Sequence, residues 1–257
     1  MMDLGLHGKV AIVTGASRGV GKAIAFALAA EGCRLSIVAR GRKALEETAG
    51  ILWSGGTETL AVVADLTVAH DIERVVQSTL EHFGRIDILV HNAGGAKGQN
   101  IFDTSDADWE EALALNVLAL ARLAKLVAPV MSQQGEGRII TISSIFGREA
   151  GGRTAYNSLK AALISLTKSL AYQFAPNNIL VNSIAPGSLL FPGSSWDRRL
   201  QADPERIAAF VKSDLPLGRF GKPEEVAAVV VFLASQQASL ISGACIPVDG
   251  AQSHSNI

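Results

Sequence analysis

Short apolar runs alternate along this chain with longer segments whose apolar residues recur at helical spacing. A β-rich run at residues 9–14 is followed by a glycine-containing turn and then by an alanine-rich segment at residues 22–31, a pattern typical of strand, turn and helix. The same alternation predicts further strands at 34–38, 59–64, 86–90, 138–143, 179–184 and 244–248. It predicts further helices at 43–53, 71–83, 106–131, 154–174 and 223–234. Alternating strands and helices favour parallel pairing through right-handed crossovers. We therefore expect a single α/β domain over residues 1–257, with a doubly wound, mostly parallel seven-stranded sheet and helices on both faces.

Residues 186–216 interrupt this alternation. The segment is rich in glycine, serine and proline and contains Trp196 and the pair Arg198-Arg199. Long irregular segments inside compact domains often act as lids or binding loops. We predict that residues 187–213 form a lid over a substrate site.

Composition and charge narrow the class of protein. Hydrophobic residues make up 48% of the chain and charged residues 18%, which excludes a disordered chain. A formal net charge of -1 provides no field that would attract nucleic acid or an anionic membrane. No apolar run reaches the roughly 20 residues of a membrane span, and the N-terminus lacks the pattern of a signal peptide. We expect a cytoplasmic protein that acts on small molecules, with no nucleic-acid or membrane partner.

Cysteine and histidine usage indicates neither disulfides nor a metal site. Cys33 and Cys245 are far apart and lie in apolar contexts, which favours buried, reduced thiols. The five histidines show no metal-ligand spacing. We predict no metal.

Tyr156 and Lys160 form the first candidate for chemistry. Residues four apart in a helix lie on one face, so the phenol and the ammonium group would be neighbours. A nearby cation favours the phenolate and would lower the tyrosine pKa from its usual value of about 10. The pair would then exchange a proton with a carbonyl or alcohol oxygen. The alternative is a surface tyrosine beside a solvated lysine.

Three glycines follow the first predicted strand. Gly15, Gly19 and Gly21 have the spacing Thr-Gly-x-x-x-Gly-x-Gly. At the start of a helix such glycines let backbone amides approach a pyrophosphate group. The alternative is a set of ordinary turn glycines.

Arginines surround the position that selects the cofactor in dinucleotide-binding folds. At the end of the second strand an acidic residue binds a ribose 2′-hydroxyl, whereas an arginine accommodates a 2′-phosphate. Here that strand ends in Ala39-Arg40, with Arg42 nearby and Arg18 in the glycine turn. NADP(H) is therefore favoured over NAD(H), against the alternative of a solvated basic patch.

Together these residues resemble the short-chain dehydrogenase/reductase superfamily, specifically its single-domain Rossmann-type members similar to 3-oxoacyl-acyl-carrier-protein reductases. The resemblance covers residues 9–250. It implies a catalytic tetrad of Asn116, Ser144, Tyr156 and Lys160. It also implies cofactor contacts from Gly15, Ser17, Arg18, Gly19, Val20, Gly21, Arg40, Asp65, Leu66, Asn92, Ala93, Gly94, Tyr156, Lys160, Pro186, Gly187 and Leu189.

The resemblance also implies a role for each member of the tetrad. Tyr156 would be the acid in reduction and the base in oxidation, and Ser144 would stabilise the charge that develops on the substrate oxygen. Lys160 would hold the nicotinamide ribose and lower the pKa of Tyr156. Asn116 would position Lys160 through a water molecule and begin a proton relay.

Three positions depart from the pattern of the superfamily. The serine usually lies thirteen residues before the tyrosine, which is the position of Ser143, but Ser144 is the second serine after the fifth strand and is favoured. Ser143 stays an alternative. His91 replaces the first asparagine of Asn-Asn-Ala-Gly, where we expect a structural role. Phe191 replaces a threonine that contacts the nicotinamide amide in the superfamily. For Phe191 and Trp196 two alternatives stay open, packing within the loop and contact with the substrate.

The function implied is an NADP(H)-dependent oxidoreductase that transfers a hydride between nicotinamide and a carbonyl or secondary alcohol. The substrate would be a 3-oxoacyl thioester or a general ketone. The alternative is a non-catalytic protein that binds and senses NADP(H). The resemblance further implies a homotetramer paired through the helices that contain Asn116 and Tyr156.

Overall fold

A computed structural model describes residues 3–256. Within these residues, seven parallel strands form one sheet in the order β3-β2-β1-β4-β5-β6-β7. The strands are β1 (Val10–Thr14), β2 (Arg34–Ala39), β3 (Thr59–Val63), β4 (Ile88–His91), β5 (Gly137–Ile142), β6 (Ile179–Pro186) and β7 (Cys245–Val248). This sheet confirms the predicted α/β class and its doubly wound, Rossmann-type topology.

Helices cover both faces of the sheet. They are α1 (Gly19–Ala30), α2 (Arg42–Ser54), α3 (Ala69–Phe83), α4 (Asp106–Leu113), α5 (Ala119–Gln134), α6 (Thr154–Phe174), α7 (Ser195–Ala202), α8 (Pro204–Asp214) and α9 (Pro223–Ala234). The ends of α6 and α9 coincide with the predicted ones. Apolar side chains of α1 and α9 pack on one face, and those of α3, α5 and α6 pack on the other.

Two predicted segments differ from the structure. The single helix expected at 106–131 is interrupted by a π-helical turn, Ala114–Leu118, which separates α4 from α5. Single π turns inside α-helices occur frequently at functional sites, and this one contains Asn116. The segment expected to be irregular contains α7 and α8, which begin at a serine cap and at an aspartate cap followed by proline, respectively.

The segment Asp106–Gln134 has the length and composition of a membrane span, although charged residues interrupt its apolar runs. Its most apolar window has a mean hydropathy of 1.7, sufficient for such a span by length and composition. In the structure Leu120, Leu123 and Val127 of α5 are fully buried in the core beside the sheet. These contacts are those of a core helix in a folded domain.

The strand order reverses direction between β1 and β4. In open α/β sheets, ligands bind in the crevice beyond the carboxyl ends of the strands at such a reversal. The glycine turn follows β1, and Asn92-Ala93-Gly94 follows β4. The topology therefore places these two predicted motifs side by side.

Gly21 allows α1 to begin close to the end of β1. A Cβ atom at this position would lie 2.3 Å from the carbonyl oxygen of Gly15 and 2.5 Å from the side-chain nitrogen of Asn92. The backbone of Gly15 cannot move away from an added Cβ atom as the end of a flexible side chain could. A side chain at position 21 is therefore incompatible with the observed packing.

We expect Gly21→Ala to lower the free energy of unfolding by about 1–3 kcal/mol, the usual cost of overpacking. Gly50→Ala is the matched control, because Gly50 also lies inside a helix but an added Cβ meets nothing within 4 Å. This control should gain about 0.4–1 kcal/mol, since alanine reduces the entropy of the unfolded chain. Urea unfolding measures both. Equal effects at the two positions would contradict the packing argument.

Candidate active site

Tyr156 and Lys160 lie one turn apart at the start of α6, as the spacing predicts. The Lys160 Nζ is 5.5 Å from the centroid of the Tyr156 ring. Lys160 is only 4% exposed, and its Nζ donates a hydrogen bond to the carbonyl oxygen of Ile142 at 2.8 Å. The start of α6 is thereby fixed against the end of β5.

Ser143 and Ser144 make different contacts. The Ser143 hydroxyl donates to the carbonyl oxygen of Lys160 at 3.0 Å and so holds the backbone of α6. The Ser144 hydroxyl hydrogen-bonds with the Tyr156 phenol and accepts from the amide of Phe146 at 3.2 Å. Adjacent residues in extended backbone point their side chains in opposite directions, and Ser144 has extended angles. Ser144 is thus the serine that faces Tyr156.

Burial dominates the electrostatics of the pair. It raises the pKa of Tyr156, and the hydrogen bond with Ser144 only partly opposes that rise. Burial also lowers the pKa of Lys160 to about 8. The expectation of a lowered tyrosine pKa is therefore wrong for this structure, because burial raises that pKa by more than the hydrogen bond with Ser144 lowers it. The phenol is neutral at physiological pH and carries a proton that it can donate.

Asn116 joins the π turn to the loop after β4. Its side-chain nitrogen donates to the carbonyl oxygens of Gly95, at 2.7 Å, and Ala112, at 2.8 Å. Its side-chain oxygen accepts from the amide of Gly95 at 3.2 Å. A Cβ atom at Gly94 would lie 2.6 Å from that oxygen and 3.0 Å from the Lys160 Nζ. The structure thus brings Asn116, Gly94 and Lys160 together.

His91, the departure at the end of β4, contacts the same residue. Its Nε2 lies 3.2 Å from the carbonyl oxygen of Asn116 and is fully buried. Burial, followed by the charge of Lys160, lowers the pKa of His91 to about 4. The imidazole is therefore neutral and donates through Nε2, with Nδ1 unpartnered among residues 3–256. The resemblance implies a water molecule beside Asn116, but it does not predict the contact between His91 and the Asn116 carbonyl oxygen.

The glycine turn between β1 and α1 leaves backbone amides without a side-chain cap. Gly15 and Gly19 have φ angles of +66° and +52°, in the left-handed region that favours glycine. Arg18 precedes the first residue of α1 but provides no side-chain cap, so the first amides of this 12-residue helix are available to an anion. Ser17 lies in this turn, and Val20 and Gly21 lie in the first turn of α1. This arrangement fits the pyrophosphate of a dinucleotide.

Thr14 organises the neighbouring motif, a role that sequence reasoning missed. Its hydroxyl accepts from the amides of Asn92, at 2.9 Å, and Ala93, at 3.0 Å. The side-chain nitrogen of Asn92 donates in turn to the carbonyl oxygen of Thr14 at 2.9 Å. The signal was present in the sequence, because a hydroxyl residue stands directly before Gly15 at the end of a buried strand.

Arg40 directly follows β2, and its guanidinium lies near two carboxylates. Its Nη1 is 3.9 Å from the side-chain oxygens of Asp65 and Glu111, and the side chain is 60% exposed. Asp65 also accepts from the amide and hydroxyl of Thr67, at 3.0 and 2.8 Å. Leu66 is buried. The exposed guanidinium is available to a phosphate group on this side of the sheet.

The end of β6 borders the opposite side of the crevice. Pro186 is the last residue of β6, Gly187 follows it, and Leu189 pairs with Gly221 in an isolated bridge. The Phe191 ring lies directly against Gly19, since a Cβ atom there would be 2.5 Å from the ring.

Trp196 belongs to the aromatic core of the predicted lid. Its ring stacks on Phe210, with centroids 4.4 Å apart, and lies 5.2 Å from Phe220. These ring contacts show that Trp196 packs within its own loop region, and its contact with substrate stays a prediction. Within residues 3–256, no group of three or more potential metal ligands could hold a metal ion.

Known proteins resemble this chain over nearly its whole length. A family model described as enoyl-(acyl carrier protein) reductase matches residues 15–251. The short-chain reductase NovJ of Streptomyces niveus is 35% identical over 242 residues, covering 94% of this chain and 92% of that protein. The 3-oxoacyl-[acyl-carrier-protein] reductase FabG of Escherichia coli K12 is 36% identical over 248 residues, covering 96% and 98%.

Solved structures agree with these relatives. The L-sorbose reductase of Gluconobacter frateurii, complexed with NADPH and L-sorbose, superposes with a TM-score of 0.94 at 35% identity. The superposition covers 99% of this chain and 100% of that one. The chain therefore belongs to the short-chain dehydrogenase/reductase superfamily and is an oxidoreductase that interconverts carbonyl groups and alcohols with a nicotinamide cofactor.

Proposed function

We propose that this oxidoreductase uses NADP(H) in preference to NAD(H), and that Tyr156 exchanges the proton with the substrate oxygen. The observation that carries the role of Tyr156 is that its half-buried phenol lies beside the buried Ser144 hydroxyl and the buried Lys160 ammonium group. The exposed Arg40 guanidinium at the end of β2 supports the cofactor preference. When bound, the nicotinamide supplies the hydride in reduction and accepts it in oxidation.

The residues of the chain supply position and protons. Tyr156, which burial keeps neutral, donates its proton to the substrate oxygen in reduction and recovers it in oxidation. Ser144 donates to the same oxygen and stabilises its developing charge. Lys160 holds the nicotinamide ribose, and Asn116 fixes the Gly94-Gly95 loop beside it. The glycine turn holds the pyrophosphate, together with the contacts predicted from Asn92, Ala93, Pro186, Gly187 and Leu189.

The substrate we propose is a ketone, either a 3-oxoacyl thioester or a small ketone such as a ketose. Relatives of both kinds cover the chain, since the E. coli relative is a 3-oxoacyl reductase and the G. frateurii structure holds L-sorbose. Oxidation of NADPH, followed by absorbance over a panel of both classes, identifies the substrate. A non-catalytic sensor is not favoured, because these relatives are reductases; an absence of turnover in both directions with NADPH bound would favour it.

We also propose a cytoplasmic homotetramer that pairs through the α4–α5 and α6 region. Leu113 and Leu118, on either side of Asn116, are 40% and 38% exposed, so this region carries apolar surface beyond what the core covers. A subunit interface would bury that surface.

Replacing Tyr156 with phenylalanine should lower kcat at least about 100-fold, since a positioned acid or base contributes about 10²–10⁴-fold. The ring is retained, so NADPH affinity should stay within about twofold, as measured by fluorescence titration. Tyr172→Phe is the matched control, because Tyr172 lies in the same helix but is 88% exposed. Turnover like that of the wild type in Tyr156→Phe would remove Tyr156 from the proposed role.

We expect substitutions of the two adjacent serines to have different effects on kcat and stability, because the two side chains make different contacts. Ser144→Ala should reduce kcat by about 10²–10³-fold, the usual loss for one donor to a developing oxyanion. Ser143→Ala removes a hydrogen bond to the Lys160 carbonyl and should cost about 1 kcal/mol of stability with a smaller loss of kcat. Steady-state kinetics and urea unfolding of both variants test the assignment. The reverse order of kcat losses would make Ser143 the catalytic serine.

Arg40→Asp should shift cofactor preference toward NAD(H) by about tenfold or more, since loss of one charge-assisted hydrogen bond is worth about 1.5–3 kcal/mol. The measurement is the ratio of kcat/KM for NADPH to that for NADH. Arg42→Asp is the control, because Arg42 pairs with Glu46 on the exposed side of α2. Equal shifts in the two variants would indicate a general basic patch instead of a 2′-phosphate contact at Arg40.

A further inference from the structure

The chain after β7 turns back toward the active site. We call residues 249–255 the C-terminal strap. The Asp249 carboxylate accepts from the amides of Ala251, at 3.1 Å, and Ser253, at 2.9 Å, which closes a tight turn. Ala251 has a φ of +65°, which is uncommon for a residue other than glycine. The turn directs the side chains that follow it toward two loops at the carboxyl edge of the sheet.

One of these loops follows β6 and contacts Gln252. The Gln252 Oε1 accepts from the amide of Ser188 at 2.7 Å, and its Nε2 donates to the Ser188 hydroxyl at 3.0 Å. A Cβ atom at Gly187 would lie 2.7 Å from the same Oε1. A single carboxamide thus fixes both the backbone and the side chain of Ser188, which lies between the predicted cofactor contacts Gly187 and Leu189.

The other loop joins Ser144 to Tyr156 and contacts the strap through Glu149. The Glu149 Oε2 accepts from the Ser253 hydroxyl at 3.0 Å and from the amide of His254 at 2.8 Å. The Glu149 carbonyl oxygen accepts from the side chain of Asn157 at 2.7 Å, and Asn157 is adjacent to Tyr156 in α6. The strap is therefore connected to the serine-tyrosine loop and to the helix that carries the tyrosine.

We infer that the C-terminal strap positions the two sides of the active site relative to each other, with Gln252 of the strap and Glu149 of the Ser144–Tyr156 loop as the positioning residues. This inference rests on the proposed function. The strap hydrogen-bonds to the segment after β6 on one side and to the Ser144–Tyr156 loop on the other. Ser144 and Tyr156 flank the second of these loops, and the predicted cofactor contacts Gly187 and Leu189 lie in the first.

The energetics favour a positioning role over a role in overall stability. Each of these hydrogen bonds contributes about 0.5–1.5 kcal/mol, and the strap lies at the surface, so its loss leaves the core intact. Catalysis is more sensitive, because a misplacement of about 1 Å can cost about 100-fold in rate. The strap should therefore affect turnover more than it affects unfolding.

The kinetic test is Gln252→Ala. We expect kcat to fall about tenfold or more, while KM for NADPH changes less than about threefold and the melting temperature falls by only a few degrees. Gln252→Glu keeps an acceptor for the Ser188 amide and should recover most of kcat. Gln237→Ala is the control. The Gln237 side chain also donates a hydrogen bond to a backbone carbonyl oxygen distant in the sequence, that of Asp3, but it does not join the two loops described above. A kcat for Gln252→Ala equal to that of the wild type would overturn the inference.

A second test needs no substrate, so it stands even if the proposed activity fails. Hydrogen–deuterium exchange of the full-length Gln252→Ala protein should be faster at residues 187–191 and also at residues 145–153, to which the Gln252 side chain makes no hydrogen bond. Glu149→Ala should show the reciprocal effect at residues 187–191. If each variant showed faster exchange only in the loop nearest the substituted residue, the two contacts would act separately, and the inference would be overturned.

Discussion

A buried ammonium group is costly, and the arrangement around Lys160 follows from accommodating it. The Nζ donates to the end of β5, the helix backbone beside it is held by Ser143, and the close approach of Gly94 leaves no room for a side chain. The neighbouring imidazole of His91 is kept neutral by burial and by the lysine charge. An isolated buried charge shifts its pKa unless it finds partners, and the pKa of Lys160 is lowered to about 8 by this environment.

The same burial determines how the tyrosine works. In the structure desolvation raises the pKa, and the hydroxyl of Ser144 is the partner that limits the rise. The proton therefore stays on the tyrosine, as reduction requires, while the raised pKa makes the phenol a weaker acid than one whose pKa lies near the working pH. A bound cofactor adds charges of its own and changes this balance.

The sequence predicted the elements whose signals are local. The ends of α6 and α9 were predicted correctly, and the parallel sheet followed from the alternation of strands and helices. The π turn at Asn116 was not predictable, because it depends on contacts with Gly95, 21 positions earlier in the chain. Helices α7 and α8 were missed because proline and serine were read as loop signals, although both residues also begin helices. The contact between Gln252 and Ser188 spans 64 positions and has no local signature.

The strand order has a consequence for how the chain folds. Strands β1 to β4 pair among themselves within the first 91 residues, and β5, β6 and β7 then join one after another at the same side. During synthesis β4, β5 and β6 are therefore each in turn an unpaired edge, and the sequences of these strands are strongly apolar. Unpaired apolar edges bind other chains as readily as their own next strand, and parallel sheets form slowly. Recovery of soluble protein should accordingly depend on how fast translation supplies each following strand, and on chaperones that cover the exposed edge until it arrives.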